Sequence, residues 1–174
     1  DEIYAYVKDF VGQAQAINLV EFVAEDWAQL QAMVEPLQQQ LASDPEQLAR
    51  GYYCARTTTE IEHLWELRKR GVGLLGNRPG PRKPIAFIED TAVPPVNLVA
   101  YVQALKALLD RYGLDYAMFG HVDVGCLHVR PALNLQVPED EALIRRISDQ
   151  VVALVREYGG VMWAEHGRGF RSEY

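Results

Sequence analysis

Cysteine is scarce in this sequence: Cys54 and Cys126 are the only two in 174 residues, and they form no CxxC pair. That leaves no reason for a disulfide framework or a thiolate zinc site, and both read as small buried hydrophobes. No apolar run reaches the roughly 18–20 residues that span a bilayer, and the amino end lacks a basic segment followed by an apolar core. The expectation is a cytoplasmic protein, at most peripheral to the inner membrane. Positive charge is also short: the formal net charge is −7, which argues against a nucleic-acid partner, because phosphate binding is driven mainly by clustered Lys and Arg. Asp1 stands where an initiator Met would, and Tyr174 follows soon after the last chemical motif, so residues 1–174 are expected to be one domain excised from something longer.

What is present is ordinary for a folded domain, 49% hydrophobic and 24% charged residues, enough for a real core. Periodicity gives an alternating plan. Ala16–Val23 reads as a strand, and Asp26, with Gln29 three residues on, caps a helix whose face is Leu30, Met33, Leu37 and Leu41. Pro36 should kink or shorten that helix. Gly51–Arg56 reads as a second strand, and Thr59 with Glu62 resembles a capping box opening a helix through Leu64, Trp65 and Arg68. A loop rich in Gly, Pro and Arg, residues 71–84, precedes a similar arrangement. There Pro84–Asp90 reads as a strand, Leu98, Val102, Leu105, Leu109 and Tyr112 as a helical stripe, and Tyr116–Phe119 as a strand leading into a hairpin. A last helix carries Leu143, Ile147, Val151, Leu154 and Tyr158, and Gly159-Gly160 stops it. Two βαβ-like halves with a hairpin in the second predict an α+β, ferredoxin-like sandwich, helices over one face of a mostly antiparallel sheet. A doubly wound parallel sheet is disfavoured, because the hairpin breaks the alternation and no glycine-rich phosphate turn follows the first strand.

The chemistry concentrates near the carboxy end. His121 and His128 flank a predicted hairpin tip at Val124-Gly125, which would set residue 121 facing residue 128 with Cβ atoms roughly 4.5–5.5 Å apart. That suits two imidazoles closing on one ion. A histidine near a strand end is usually just a hydrogen-bonded group; Glu165 strengthens the metal reading, since two imidazoles and one carboxylate leave a coordination position open. His2Glu suits Zn, Mn or Fe, with Zn and Mn favoured. His166 should point opposite to Glu165 along an extended chain, unless the turn implied by Gly167 and Gly169 swings it in as a general base. The cationic stretch Arg68, Lys69, Arg70, Arg78, Arg82 and Lys83 is a candidate anion site in an acidic protein, or simply a solvated face.

The pairing of Gly120-His121 through Leu127-His128 with Glu165-His166-Gly167-Arg168-Gly169 resembles the carboxy-terminal substrate domain of FAD-linked oxidases, the group of D-lactate and D-2-hydroxyglutarate dehydrogenases. The resemblance covers most of the chain, from Val20 onward. It implies an FAD-dependent dehydrogenase of D-2-hydroxy acids, with a divalent metal on His121, His128 and Glu165 and His166 as the base that removes the hydroxyl proton. It also implies Arg68 as the grip on the substrate carboxylate and Lys83 as a second basic anchor. The flavin would be held by an FAD-binding domain of the same polypeptide, with no flavin on residues 1–174 alone, and an electron acceptor or iron-sulfur partner would complete the system.

The commoner family pattern, GHxGDGNLHxN, is not fully kept. Asp123, Val124 and Cys126 replace Gly, Asp and Asn, and Arg130 replaces the final Asn. Arg130 is therefore expected to contact a second acidic group, as in a dicarboxylate substrate. Two other classes are weighed. His121-Val122-Asp123 with a later His also has the spacing of a non-haem iron facial triad, although such oxygenases are typically all-β. A ferredoxin-like regulatory or binding module without catalysis is the second.

Overall fold

The computed structural model describes residues 16–43, 51–74 and 79–166, and the chain divides into two compact units, Asp1–Arg70 and Gly71–Tyr174. In the first unit, helix α1 (Trp27–Ala42) starts at the predicted cap, the Asp26 carboxylate accepting the Gln29 N–H at 2.9 Å. Pro36 does not shorten it; the helix runs through the proline to Ala42. Helix α2 (Thr58–Leu74) opens on a capping box two residues earlier than Thr59 and Glu62: Thr57 Oγ1 accepts the Glu60 N–H, and Glu60 Oε2 accepts the Thr57 N–H. The Tyr53 hydroxyl and the Arg56 amide also donate to Glu60, and these bonds, Tyr53 foremost, hold its carboxyl down at about 2. Because α2 reaches Leu74, the predicted loop begins later than Gly71. The strands expected at 16–23 and 51–56 do not form; these segments have no ladder partner among the described residues, and apolar alternation without a pairing edge makes no sheet.

The second unit is the expected α+β arrangement, a small antiparallel sheet with helices on one face. Strand β4 (Cys126–Leu133) is its centre. Along one edge runs β3 (Tyr116–His121), in unbroken register from Tyr116 opposite Pro131 to His121 opposite Cys126. Along the other edge runs the chain from β1 (Lys83–Pro84), opposite Leu133 and Ala132, to β2 (Thr91–Ala92), opposite Leu127 and Cys126. Seven residue steps from Pro84 to Thr91 match five from Ala132 to Leu127, so the predicted strand Pro84–Asp90 survives only at its ends and bulges by two residues between them. Val161 bridges the outer side of Ala92 and adds a further lane.

Period two sorts the faces of β4. Leu127, Val129 and Leu133 enter the core against Tyr101, Leu105 and Leu109 of α3 (Leu98–Arg111) and Ile147, Val151 and Val155 of α4 (Pro138–Glu157). Each such fully buried side chain contributes about 1.5–3 kcal/mol, and a one-residue slip would turn all three out of the core. The register is thereby pinned, and the alternate residues Cys126, His128 and Arg130 are committed to the opposite face. Among the described residues no helix is long and apolar enough to cross a membrane.

Candidate functional site

Four lanes deliver side chains to that second face: the end of β3, the start of β4, the bulge before β2, and the segment after Val161. The hairpin register differs from the expected one. His121 lies opposite Cys126, and Phe119 opposite His128, because the connection is not a two-residue tip but a 3-10 turn, Val122–Val124, closed by Gly125 at φ 72°. A Cβ on Gly125 would stand 1.9 Å from the Val93 carbonyl oxygen, so the left-handed conformation and the close approach both demand glycine there. His121 and His128 are thus diagonal neighbours on one face rather than a facing pair, still within reach of long side chains. Their ring centroids are 5.6 Å apart and nearly perpendicular.

Both rings turn a nitrogen toward one oxygen. His121 Nε2 is 3.1 Å and His128 Nε2 3.6 Å from Glu165 Oε1. Ligand atoms bound at about 2.0–2.2 Å around one tetrahedral zinc stand roughly 3.4 Å apart, close to both of these nitrogen–oxygen separations. The three ligand atoms do not all lie within 4.8 Å of one another, so the two imidazoles would have to draw together to share one divalent ion. His128 is buried, at 2% exposure, and burial pulls its pKa down against the neighbouring carboxylates. That favours the neutral imidazole a metal requires.

Glu165 and His166 do not part to opposite sides. The chain bends at residues 164–166, and the His166 ring stacks on His128 at 5.0 Å and 13°. The predicted turn at Gly167 and Gly169 lies outside the described residues. What holds the bend is Asp90, which the sequence reading missed. Its buried carboxylate accepts the backbone N–H groups of Ala164, Glu165 and His166 at 2.8, 3.0 and 3.0 Å. Burial would raise its pKa, but these three amides and the nearby His166 outweigh it and hold the group ionised below its usual range. Asp90 also has φ 76°, a left-handed conformation that Asp, like Asn, adopts more readily than most side-chain-bearing residues.

Two further groupings overlap this one. Asp90, Cys126, His128 and Glu165, and separately Glu89, His128 and His166, each offer ligand atoms within 4.8 Å of one another. His121 is in neither and joins through Glu165. In the first grouping both Asp90 oxygens already accept backbone amides, and the Cys126 thiol is pushed up to about 12 by burial, then by the charges of Asp90 and Glu165. His121, His128 and Glu165 carry neither restriction.

The basic residues fare differently. Arg130 is partly exposed and is engaged within the protein: its Nε and Nη2 both donate to Glu89 at 2.9 Å, and its guanidinium lies over the Phe119 ring at 5.4 Å. Lys83 is not brought to the histidines. It pairs with Leu133, five residues along β4 from His128 and so on the opposite face, about 17 Å away at strand rise. Arg68 belongs to the first unit, exposed, with its guanidinium 5.6 Å from the Trp65 ring centre. Asp123, the carboxylate of the facial-triad alternative, is exposed in the hairpin turn, and the helices of both units remove the all-β expectation that went with it.

Glu89, like Asp90, carried no periodic signal. Two carboxylates closing an apolar run that the structure then buries, at 5% and 3% exposure, were the one trace of them in the sequence.

The family model described as FAD linked oxidases, C-terminal domain, matches residues 4–174. D-2-hydroxyglutarate dehydrogenase of Pseudomonas putida is 50% identical over 158 residues, and that of Escherichia coli 47% over 161; each match covers 91% of this chain and 16% of the relative. A D-lactate dehydrogenase of Archaeoglobus fulgidus is 26% identical over 117 residues, 67% of this chain and 24% of that protein. The chain therefore spans about a sixth of the length of the first two relatives it matches.

Proposed function

The chain belongs to the family of C-terminal domains of FAD-linked oxidases, and from that membership we propose that residues 1–174 are the substrate- and metal-binding domain of an FAD-dependent dehydrogenase. Its reaction is oxidation of a D-2-hydroxy acid, lactate- or 2-hydroxyglutarate-like, to the 2-oxo acid, with an FAD-binding domain elsewhere in the same polypeptide. The observation that carries the reading is the convergence of His121 Nε2 and His128 Nε2 on a single Glu165 oxygen, at 3.1 and 3.6 Å.

His121, His128 and Glu165 would hold a divalent ion, Zn or Mn, and leave room for substrate. Such an ion, when bound, supplies a Lewis acid that lowers the pKa of a hydroxyl attached to it. His166 would take the hydroxyl proton; its stacking on His128 keeps the ring beside the ligand set. Arg68 suits the substrate carboxylate, because a guanidinium grips both oxygens at once. Lys83 has no part in this proposal, given its place on the sheet, and Arg130 enters it only through Glu89.

Titration of the protein with Zn and Mn tests the reading. One ion per chain is expected, lost in His121→Ala and in His128→Ala. Unchanged binding in both variants would overturn the ligand assignment.

A further inference from the structure

Behind the proposed ligands lies a second charge system, centred on a buried carboxylate, that the reaction does not itself require. Glu89, whose side chain is 1% exposed, places Oε1 3.8 Å from Nδ1 of His128 and 3.8 Å from Nδ1 of His166. The same carboxylate is held from its other side by the two-pronged Arg130 grip. His128 Nδ1 is buried and makes no hydrogen bond, so the carboxylate is the polar group it faces at just beyond bonding distance.

Each member of this arrangement has a structural cause. The two-residue bulge between β1 and β2 turns Glu89 onto the histidine face, as bulges beside functional sites commonly re-aim a side chain. Arg130 shares the β4 face with His128, two residues on, and its guanidinium is braced by Phe119, which lies opposite His128. A lone buried carboxylate would be costly, and the fork of Arg130 makes it tolerable. The pair therefore holds the Glu89 carboxylate in a fixed orientation.

We propose that Glu89, locked by Arg130, is a positioning residue that orients His128 and His166 together, directing His128 Nδ1 inward so that its Nε2 meets Glu165. Arg130 is then a positioning residue too, acting through Glu89 rather than on a substrate carboxylate. This deepens the metal-site reading and rests on it for its consequence in catalysis, but the ring geometry stands apart from any ion. Carboxylates that take the second ring nitrogen of a metal-binding histidine fix its tautomer and orientation, and their loss costs about 10–100-fold in metal affinity or activity.

The test is Glu89→Gln in the full-length enzyme, with Arg130→Lys as a second variant that keeps the charge and loses the fork. Three readouts are taken: crystal structures without added metal, Zn affinity against a competing chelator, and kcat and KM for a 2-hydroxy acid at saturating metal. The expected result is a His166 ring released from its stack on His128, Zn affinity down about tenfold or more, and a fall in kcat with little change in KM. Rings unmoved and affinity unchanged in both variants would overturn the proposal, while wild-type Zn binding would leave the metal-site reading standing. Conversely, rings displaced in a protein whose wild type binds no Zn would support the positioning role and sink the metal reading. If Glu89→Gln fails to fold, Arg130→Lys decides by the same criteria.

Discussion

Asp90 shows how much one side chain can organise. A single carboxylate in a left-handed backbone conformation gathers three consecutive amides and so sets the bend that puts Glu165 against the histidines and His166 on top of them. Asn keeps the shape and tolerates positive φ, so Asp90→Asn removes the charge while leaving the backbone nearly unstrained. Hydrogen bonds to a charged group contribute about 1.5–3 kcal/mol net, and Asp90→Asn should lose about 2 kcal/mol in urea denaturation. No loss of stability would mean that the bend holds itself. At this scale the sequence was informative for residues whose type is their signal: His121, His128, Glu165 and His166 all meet in one cluster. Glu89 and Asp90 carry no such signal, since an acidic pair after an apolar run reads as a strand end until the bulge is known. Arg130 was visible as a departure from the family pattern, but its partner, 41 residues earlier, was not.

At the scale of elements, long amphipathic periods were read correctly and pairing was not. α3 and α4 fall where the apolar stripes put them, because burial of one face decides a helix. The hairpin was recognised but its register was not: a four-residue connection with a 3-10 turn and a left-handed Gly125 has the same residues as a two-residue tip, and only the core-facing Leu127, Val129 and Leu133 choose between them. The amino-terminal strands failed for want of an edge to pair with. The first turn of α4 shows a feature that sequence alone does not disclose, the buried Asp140, which accepts the Asn134 N–H and both prongs of Arg82. The Asn134 amide, ahead of Arg82, lowers its folded pKa. A depressed carboxyl pKa adds stability that is present above the unfolded value, about 3.9, and is lost as pH falls through the folded value. Urea denaturation at pH 7, 5 and 3 should therefore show Asp140→Asn less stable than wild type at pH 7, by about 2 kcal/mol. The gap should narrow at pH 3. A gap independent of pH would mean the charge contributes nothing.

For the whole molecule, the arrangement is a division of labour between the two faces of one small sheet. The odd residues of β4 fix the register through the core, and the even residues, held there by the same register, carry the chemistry. Lanes on either side then add the other groups: His121 from the hairpin, Glu89 and Asp90 from the bulge, Glu165 and His166 from the segment beyond Val161. This is why a short antiparallel sheet, rather than a pocket built from loops, can hold several titratable groups within 4.8 Å of one another. The three overlapping donor sets make different claims about where an ion sits. Anomalous diffraction from crystals of the protein grown with Zn or Mn separates them directly. One peak is expected, bonded to His121 Nε2, His128 Nε2 and Glu165, with Glu89 outside the coordination shell and Asp90 still on its three amides. A peak held by Asp90 and Cys126, one between Glu89 and the Nδ1 atoms of His128 and His166, or no peak at all would contradict it.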